Sequence, residues 1–308
     1  MVKVNPLPME ELRRVFGEAV RENAQLAPYT SARIGGAAEA LLTVKSLEEL
    51  ERAVRTLWEK GLPFFVLGGG SNILISDRGV REVVILNKAK ALRFEETERP
   101  QVWAESGAGF GQLAHRAAAR GLSGLEWAAT VPGTVGGAVY GNAGAFGRDV
   151  AHSLVQAEVL TQAGRETWSV EEMGYGYRTS RLKRMEERAV VLAARFALEA
   201  ATKEAASEKI AQLSARRKAT QPPGASMGSM FKNPEGDHAG RLIEAAGLKG
   251  SRIGSAEIST VHGNFFVNRD DTRASDVRAL IQLAQETVEE KTGIRLELEI
   301  ELIGEWDE

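Results

Sequence analysis

"VPGTVGGAVYGNAGAFG", residues 131–147, carries no charge and has a glycine at about every third or fourth position. Tyr140 and Phe146 are its only bulky aromatic side chains. Glycine loses more backbone freedom on folding than any other residue, so a cluster of this kind needs a physical reason. The stretch is typical either of structural turns or of a site where a ligand lies directly against the backbone.

Two further glycine clusters precede residue 200: "GGGSN" (68–72), which follows the apolar strand "PFFVL" (63–67), and "GAGFG" (107–111). Neither is the dinucleotide fingerprint G-x-G-x-x-G, because Ile73 and Gln112 stand where the third glycine is required. The phosphate-binding motif G-x-x-x-x-G-K-[ST] does not occur. Loops at strand ends expose free N–H groups that bind anions. The clusters together predict a dinucleotide held by the backbone, outside a Rossmann site.

The chain has 308 residues, of which 43% are apolar and 26% are charged, and its net charge is −3. These values are typical of a globular protein and give no basic stripe for nucleic acid. No apolar run is long enough to cross a membrane, and residues 1–16 lack the apolar region of a signal peptide. Without cysteine there are no disulfides or thiolates, and the four scattered histidines predict no metal site. We therefore expect a cytoplasmic enzyme without a metal.

Helix and strand signals alternate and predict an α+β fold with domains at 1–78, 79–200 and 201–308. The first domain is expected to contain a small mixed sheet, and Ser46 with Glu49 forms the pattern of a capping box. The predicted helices are 8–26, 46–61, 111–121, 202–220, 237–246 and 275–292. The predicted strands are 40–44, 63–67, 82–86, 101–106, 154–160, 165–170, 189–198, 264–268 and 295–302.

Eight segments follow one another along the chain: "YTSARIGG" (29–36), "VLGGGSNILISD" (66–77), "WAATVPGTVGGAVYGNAGAFG" (127–147), "YGYRTSRLK" (175–183), "GSMFKNP" (228–234), "RLIEAAGLKG" (241–250), "VHGNFFVN" (261–268) and "LELEIELIG" (296–304). This series resembles the UDP-N-acetylenolpyruvoylglucosamine reductase (MurB) family over nearly the whole chain. A single glycine cluster is generic to flavin domains of the superfamily, whereas the ordered series is specific.

The resemblance implies an FAD-binding domain of the vanillyl-alcohol-oxidase type, built of two subdomains, followed by a MurB C-terminal α+β domain that binds substrate. The short distance between "YGYRTSRLK" and "GSMFKNP" implies the shorter subtype, which lacks an extra substrate-covering insertion. How such a chain shields its substrate from water is left open. The implied reaction is the reduction of UDP-N-acetylglucosamine enolpyruvate to UDP-N-acetylmuramate, in peptidoglycan precursor synthesis, with non-covalent FAD and with NADPH as co-substrate. We expect a monomer that binds a UDP-sugar and NADPH, and neither nucleic acid nor membrane.

The resemblance also implies the catalytic residues. Ser229 in "GSMFKNP" matches the family's proton donor, although without the motif it reads as a turn or cap serine. Arg178 in "YGYRTS" matches an arginine whose planar charge can pair with the substrate carboxylate. Period-two alternation in "LELEIEL" places Glu297, Glu299 and Glu301 together on a solvent face. The resemblance singles out Glu299 as a cleft residue that polarises the site of protonation.

Binding residues follow from the same motifs. The residues expected to contact FAD are Arg33, Ile34, Gly35, Gly68, Gly69, Gly70, Ser71, Asn72, Pro132, Gly133, Thr134, Gly136, Gly137, Asn142 and Gly144. The residues expected to contact the UDP-sugar are Tyr175, Arg217, Gln221, Lys232 and Asn233. Arg217 and Lys232 have the right charge for phosphate or carboxylate, and each can equally be an ordinary surface cation.

Two other functions fit parts of the sequence. A flavin oxidase of the same superfamily that acts on an alcohol or sugar shares the glycine loops but needs a different substrate domain, which "GSMFKNP" and "LELEIELIG" argue against. A non-catalytic module that binds flavin or a sugar nucleotide has indistinguishable binding loops. The presence of Ser229, Arg178 and Glu299 together disfavours that module.

Overall fold

The structure is a computed structural model that describes residues 6–95 and 97–306, and within these residues the chain forms three packed units. The first unit is a mixed sheet with strand order β1-β2-β5-β3, in which β1 is antiparallel to β2 and the others run parallel. Its elements are α1 (Met9–Phe16), β1 (Val20–Gln25), β2 (Ala37–Val44), α2 (Leu47–Glu59), β3 (Phe64–Leu67), β4 (Ile73–Ile75) and β5 (Val80–Asn87). The predicted small mixed sheet is confirmed.

The helix predicted at 8–26 is wrong beyond residue 16. Gly17, at φ +57°, ends α1 in a left-handed conformation, and the chain continues as strand β1 at Val20. β1 is mostly exposed and pairs along one edge with β2, from Val20 opposite Leu42 to Gln25 opposite Ala37. Its polar sequence carries no strand pattern, so pairing with β2 decides its conformation.

Helix α2 begins as predicted, because the Ser46 hydroxyl accepts a hydrogen bond from the Glu49 N–H at 3.2 Å. The Glu49 carboxylate accepts from the N–H of Lys45 at 2.7 Å, one residue before the capping-box position. The buried side of α2 shares a hydrophobic core with residues of the second unit that include Leu160 and Leu192. The helix therefore joins the first two sheets.

The second unit is an antiparallel sheet with strand order β12-β11-β13-β7-β6, covered by short helices. Its elements are β6 (Leu92–Glu95), β7 (Gln101–Glu105), α3 (Phe110–Ala118), β8 (Leu122–Ser123), α4 (Val135–Gly141), β9 (Gly144–Ala145), β10 (Arg148–Asp149), β11 (Leu154–Leu160), β12 (Arg165–Ser169), β13 (Val190–Ala197) and β14 (Glu199–Ala200). Phe110, Trp127 and Phe196 stack edge to face or tilted at its centre, with ring centroids 5.5 and 5.6 Å apart.

Two elements lie outside the predicted domain limits. Strand β5 follows residue 78 yet occupies the interior of the first sheet, since its partners β2 and β3 belong to that unit. Helix α5 (Lys203–Thr220) follows residue 200 yet packs on the second unit, where Ala206 and Ile210 share a core with Ala118. The limits at 78 and 200 stay predictions about how the chain divides into domains.

The third unit is an antiparallel sheet with strand order β15-β18-β17-β16, with two helices that share its core. Its elements are β15 (Ala225–Ser229), α6 (Ala239–Ala245), β16 (Arg252–Ile253), β17 (Ala256–Ile258), β18 (Phe265–Asn268), α7 (Ala274–Thr292) and β19 (Glu301–Ile303). Apolar residues of α7 fill this core, and Ala32, Ile34 and Leu74 of the first unit join it.

The strand predicted at 295–302 is largely wrong. Only β19, at Glu301–Ile303, is a strand, and it pairs in parallel with β4 of the first unit, Glu301 opposite Ile73. The preceding residues touch the third unit through a bridge between Phe231 and Leu298. The segment changes partners in its middle, so no continuous ladder forms. The chain thus returns beside the "GGGSN" loop.

One carboxylate also connects the first and third units. Asp77, just after β4, accepts hydrogen bonds from the N–H groups of Ala274 and Ser275 at 2.7 and 2.9 Å. It therefore caps the N-terminus of α7 from another part of the chain. No helix in the described part of the chain is long and apolar enough to span a membrane.

Candidate active site

The three glycine clusters meet at one groove of about 460 Å³ between the first and second units. The predicted residues that line it are Gly68, Gly69, Pro132, Gly133 and Thr134. Gly107, Gly109 and Gly111 of the middle cluster line it as well. Convergence of three loops from separate parts of the chain is what a backbone-held ligand requires.

The floor of this groove is made by two loops in backbone contact, which we call the glycine loops (residues 68–72 and 131–134). A Cβ added to Gly69 would lie 2.7 Å from the Cα of Gly133, and one added to Gly133 would lie 2.6 Å from the Ser71 hydroxyl. Gly133 also has φ +101°, which side-chain-bearing residues rarely adopt. The glycines are therefore needed for the loops to meet each other, before any ligand is considered.

Basic side chains line the same groove and were not predicted from the sequence. Lys88 and Lys90 follow strand β5, and His115 lies on α3. No motif marks these residues; for the two lysines, their place just after a buried strand is the only signal. An uncharged floor with lysines beside it fits a dinucleotide such as FAD, whose pyrophosphate needs N–H groups and positive charge.

The candidate catalytic residues meet at what we call the acidic segment (residues 297–301). The Arg178 Nε donates to the Glu299 Oε1 at 2.9 Å, and the Arg178 Nη2 donates to the carbonyl of Gly144 at 2.8 Å. Both side chains are mostly buried, with 24% and 16% exposed. Arg178 has φ +56°, a conformation rare for non-glycine residues that is often kept at functional sites. Two of the three predicted catalytic residues are thus in direct contact.

The third, Ser229, lies on the backbone segment next to Glu299. It ends strand β15, and the following residue, Met230, accepts a hydrogen bond from the Glu299 N–H at 2.9 Å. Buried Asn264 fixes this segment by accepting from the N–H of Phe231 and donating to its carbonyl, at 2.9 and 2.7 Å. Within residues 6–95 and 97–306, nothing hydrogen-bonds the Ser229 hydroxyl, which leaves it available to a substrate.

Burial raises the pKa of the Glu299 carboxyl above its ordinary value of 4.5, because desolvation disfavours the charged form. Arg178 opposes this shift most strongly, and Lys183 and Lys232 oppose it more weakly. Desolvation outweighs the three cations together. Glu299 is thus placed to exchange a proton at a higher pH than a surface glutamate.

The solvent face predicted for the acidic segment holds for Glu297, whose side chain is 72% exposed and pairs with Lys232. Glu301 is only partly exposed, at 31%, because it pairs with Lys183 at 3.3 Å and accepts from the Tyr140 hydroxyl at 3.4 Å. Period-two alternation shows which side chains share a face, but it does not show whether that face is open to water. The second unit covers that face at Glu299 and Glu301.

The polar side-chain atoms of Asn142 and Tyr175 make hydrogen bonds within the protein. Asn142 is 2% exposed; its amide donates to Asp149 and to the carbonyl of Gly176, and its oxygen accepts from the Ala151 N–H. The Tyr175 hydroxyl donates to the carbonyl of Val139 at 2.9 Å, and burial raises the pKa of this phenol. Both side chains hold the loops around Arg178, and the contacts predicted for them with FAD or substrate stay predictions.

Arg33, Ile34 and Gly35 lie on a different groove, of about 520 Å³, between the first and third units. Ile34 is 3% exposed and belongs to the core of the third unit. A Cβ on Gly35 would lie 3.0 Å from the Cβ of Ile75. The structure does not bring these residues to the groove lined by the glycine loops, because "ARIGG" packs behind β4.

The other residues predicted to contact FAD make packing or hydrogen-bond contacts within the chain. Gly70 packs on the backbone of Tyr29, and Gly136 on Ser106, so their lack of a side chain serves packing. Thr134 caps α4 by accepting from the Gly137 N–H at 3.4 Å. The amide of Asn72 donates to the Glu299 carbonyl at 3.1 Å, which links the glycine loops to the acidic segment.

Among the predicted substrate residues, Asn233 caps α6 by accepting from the Ala239 N–H at 3.1 Å. Arg217 lies near the end of α5 with its Nη1 3.5 Å from the Thr130 hydroxyl, and no carboxylate in the described part of the chain pairs with it. Burial lowers its pKa, although a guanidinium remains charged near neutral pH. Gln221 follows as the C-terminal cap of α5. Arg217 is therefore a free cation near the groove, since Thr130 lines it.

Known proteins resemble the chain over almost its full length. The family model described as UDP-N-acetylenolpyruvoylglucosamine reductase, C-terminal domain, matches residues 219–303, and that of an FAD binding domain matches 38–169. The UDP-N-acetylenolpyruvoylglucosamine reductase of Rubrobacter xylanophilus is 44% identical over 294 residues, which cover 96% of this chain and 98% of that protein. The protein of the same name from Chloroflexus aggregans is 42% identical over 289 residues, covering 92% and 97%.

A solved structure agrees with these relatives. The crystal structure of UDP-N-acetylenolpyruvylglucosamine reductase (MurB) from Thermus caldophilus matches with a TM-score of 0.79 at 39% identity, covering 92% of this chain and 99% of that one. The predicted fold class, an FAD-binding domain followed by the MurB C-terminal domain, is confirmed. The chain belongs to the UDP-N-acetylenolpyruvoylglucosamine reductase family.

Proposed function

We propose that this chain reduces UDP-N-acetylglucosamine enolpyruvate to UDP-N-acetylmuramate, with FAD bound non-covalently in the groove lined by the glycine loops and NADPH as the reductant. The observation that carries the proposal is the contact of Arg178 with Glu299, whose N–H is bonded to the backbone of the residue after Ser229. An oxidase or a binding module has no use for this group of residues. A cytoplasmic location and a monomeric state stay predictions from the sequence.

FAD, when bound, supplies hydride transfer between NADPH and the substrate double bond. The glycine loops would hold it through backbone N–H groups, and Lys88 and Lys90 would balance its phosphates. The tight packing of Gly69 on Gly133 keeps side chains out of the groove floor.

Arg178 supplies fixed positive charge at the substrate. Its guanidinium is oriented by Glu299 on one edge and by the Gly144 carbonyl on another, so it needs little reorganisation during the reaction. The enolpyruvyl carboxylate gains negative charge as the double bond is reduced, and Arg178 stabilises that charge.

Ser229 donates the proton to the carbon next to the carboxylate. A neutral hydroxyl can do this because the carbon that receives the proton is strongly basic at that stage. Glu299 lies on the adjacent segment and, with its raised pKa, can polarise the same position.

The proposal is tested by recording the visible spectrum of the purified protein, reducing it anaerobically with NADPH, and adding the enolpyruvyl sugar nucleotide. We expect a yellow protein that releases intact FAD on denaturation and whose reduced flavin is reoxidised by the sugar nucleotide far faster than by oxygen. Rapid reoxidation by oxygen with indifference to the sugar nucleotide would instead support an oxidase. A colourless protein that takes up no flavin would support a binding module.

A further inference from the structure

Glu301 is a partly exposed carboxylate, with 31% of its side chain accessible, that the reaction described above does not use. It lies two residues after Glu299 and contacts two groups of the second unit. Its Oε1 is 3.3 Å from the Lys183 ammonium, and its Oε2 accepts from the Tyr140 hydroxyl at 3.4 Å. The Lys183 side chain is only 15% exposed. Burial and the Glu301 charge raise the pKa of Tyr140, so the phenol remains a donor.

Lys183 reaches the catalytic glutamate directly as well. Its ammonium donates to the backbone carbonyl of Glu299 at 3.3 Å, and the Asn72 amide donates to the same oxygen at 3.1 Å. The turn that carries Lys183 is itself fixed, because the Ser180 hydroxyl accepts from the Lys183 N–H and donates to the Tyr140 carbonyl at 2.6 Å. Glu299 is therefore held at its backbone carbonyl by the first two units, at its N–H by Met230 of the third unit, and at its side chain by Arg178.

We propose that Lys183, with Glu301 and Tyr140, is a positioning group that holds Glu299 against Arg178 and keeps the neighbouring Glu301 charge from disturbing it. The inference rests on the function proposed above. The Lys183 ammonium contacts both the Glu301 carboxylate and the Glu299 carbonyl, and the two glutamates are only two residues apart, so a shift of this group carries Glu299 with it. An unpaired carboxylate beside Glu299 would also disfavour its ionised form.

The charged groups around Glu299 determine the direction in which its pKa should change in the variants. Arg178 and Lys183 approach from the second unit, Lys232 from the segment after β15, and Glu301 from the same segment as Glu299. Neutralising Lys183 removes an attractive charge and leaves Glu301 unpaired. Loss of the Lys183 charge raises the pKa of Glu299 further, and we expect the unpaired Glu301 charge to act in the same direction. The double variant removes both charges, so we expect the pKa of Glu299 to move back towards its wild-type value.

The test compares Lys183→Met, Lys183→Arg, Glu301→Gln and the double variant Lys183→Met/Glu301→Gln in the FAD-loaded protein. For Lys183→Met we expect reoxidation of the reduced flavin by the enolpyruvyl sugar nucleotide to slow about 10- to 100-fold, the cost of a misplaced catalytic group. The acid limb of the pH dependence of this reoxidation rate should move to higher pH. The rate of flavin reduction by NADPH should stay within about twofold of the wild-type rate. Lys183→Arg should recover most of the rate, and the double variant should recover the pH limb.

Lys249→Met serves as the matched control, because Lys249 is a half-buried lysine paired with Glu244 at 3.1 Å in the third unit. It should change neither the rate nor the pH limb. A Lys183→Met protein with the wild-type rate and pH limb would overturn the proposal, and so would a limb that the double variant fails to restore.

A second readout needs no turnover. The carboxyl carbon of Glu299, assigned in ¹³C NMR by its loss in Glu299→Gln, is titrated in the wild type, Lys183→Met and the double variant. We expect the midpoint to rise in the single variant and to return in the double. An unchanged midpoint overturns the positioning role. If the midpoint changes among the variants as expected while the reduced wild-type protein does not react with the sugar nucleotide, the proposed substrate is overturned and the positioning role stands.

Discussion

The glycine loops and the acidic segment meet at Asn72, yet they are built in opposite ways. The glycine loops form a surface by leaving side chains out, so that Gly69 and Gly133 bring two backbones together. The acidic segment works by side chains, and Arg178, Lys183 and Tyr140 reach it from the second unit. The glycine loops should therefore be disrupted by adding a side-chain atom, and the acidic segment by removing one. Cofactor binding and chemistry should therefore be separable by mutation.

The largest expected effect lies at the side-chain region. Ser229→Ala removes a hydroxyl that has no hydrogen-bond partner in the described part of the chain, so folding should be unaffected. Turnover should fall about 10²- to 10⁴-fold, as on loss of a general acid. Flavin binding and reduction by NADPH should hold, because they depend on the glycine loops.

Steady-state kcat and the stopped-flow rate of flavin reduction measure the two parts of this prediction. If the variant turned over within a few-fold of the wild type, Ser229 would not be the donor. Glu299, whose protonated form could do the same work, would be tested next.

Glu299→Gln should have the next largest effect. It keeps the size of the side chain but removes the charge paired with Arg178, so reoxidation by the sugar nucleotide should slow on the order of 100-fold. The wild-type rate should show an acid limb above pH 4.5, since burial raises the pKa of Glu299, and the variant should lack it. If the acid limb of the rate persisted in Glu299→Gln, it would reflect the titration of a residue other than Glu299.

The same variant reports on stability. A folded-state pKa raised above the unfolded value stabilises the protein below about pH 4.5, and that contribution is lost as pH rises through the raised pKa. The free energy of unfolding of the wild type, minus that of Glu299→Gln, should therefore decrease with increasing pH across this window. Urea unfolding at several pH values measures the difference, and a difference that increases with pH would contradict the shift.

At the glycine loops the decisive change is an addition. Gly69→Ala places a methyl group 2.7 Å from the Gly133 Cα, where only backbone can move aside. We expect a loss of about 1–3 kcal/mol of stability or of flavin affinity, the usual cost of overpacking. Gly141→Ala is the matched control: its added Cβ meets nothing within 4 Å, and the helix end should gain about 0.5–1 kcal/mol.

Flavin titration and thermal unfolding of both alanine variants separate these effects. Wild-type flavin affinity together with wild-type stability in Gly69→Ala would show that the loops do not need to meet as closely as the structure has them.

The smallest expected effect concerns the tie between the first and third units. Asp77→Ala removes the carboxylate that caps α7 and should cost about 1 kcal/mol in the free energy of unfolding. Asp270→Ala, in the exposed segment just before α7, should change little. Flavin reduction should be unaffected, because Asp77 lies behind β4. If the two variants had equal free energies of unfolding in urea, the Asp77 cap would not contribute to stability.

The sequence was most informative where local chemistry decides the structure. Ser46 caps α2, Gly293 ends α7 at φ +70°, and the glycine clusters converge on one groove. Arg178 and Glu299 were identified by motif and prove to be in contact, although they are 121 positions apart. Motifs of a family carry such distant pairings, whereas periodicity does not.

Prediction failed where a distant partner decides the conformation. Val20–Gln25 is polar and continues a helical pattern, and only pairing with β2 makes it a strand. Alternation in the acidic segment predicted an open face, but the second unit covers Glu301. The inward orientation of Asn142 depends on partners up to 34 positions away. None of these partners is visible to a local pattern.

The pairing of the acidic segment with the glycine loops has a consequence for biosynthesis. Asn72 and Glu299 are 227 positions apart, so a ribosome adding about 5–20 residues per second makes them about 11–45 s apart. The first sheet and its loops emerge early and can fold while the strand that pairs with β4 has not been synthesised. During that interval β4 has an open edge, which Glu301–Ile303 later covers. The nascent chain therefore acquires the glycine loops before it acquires Glu299, the glutamate that we propose to be catalytic.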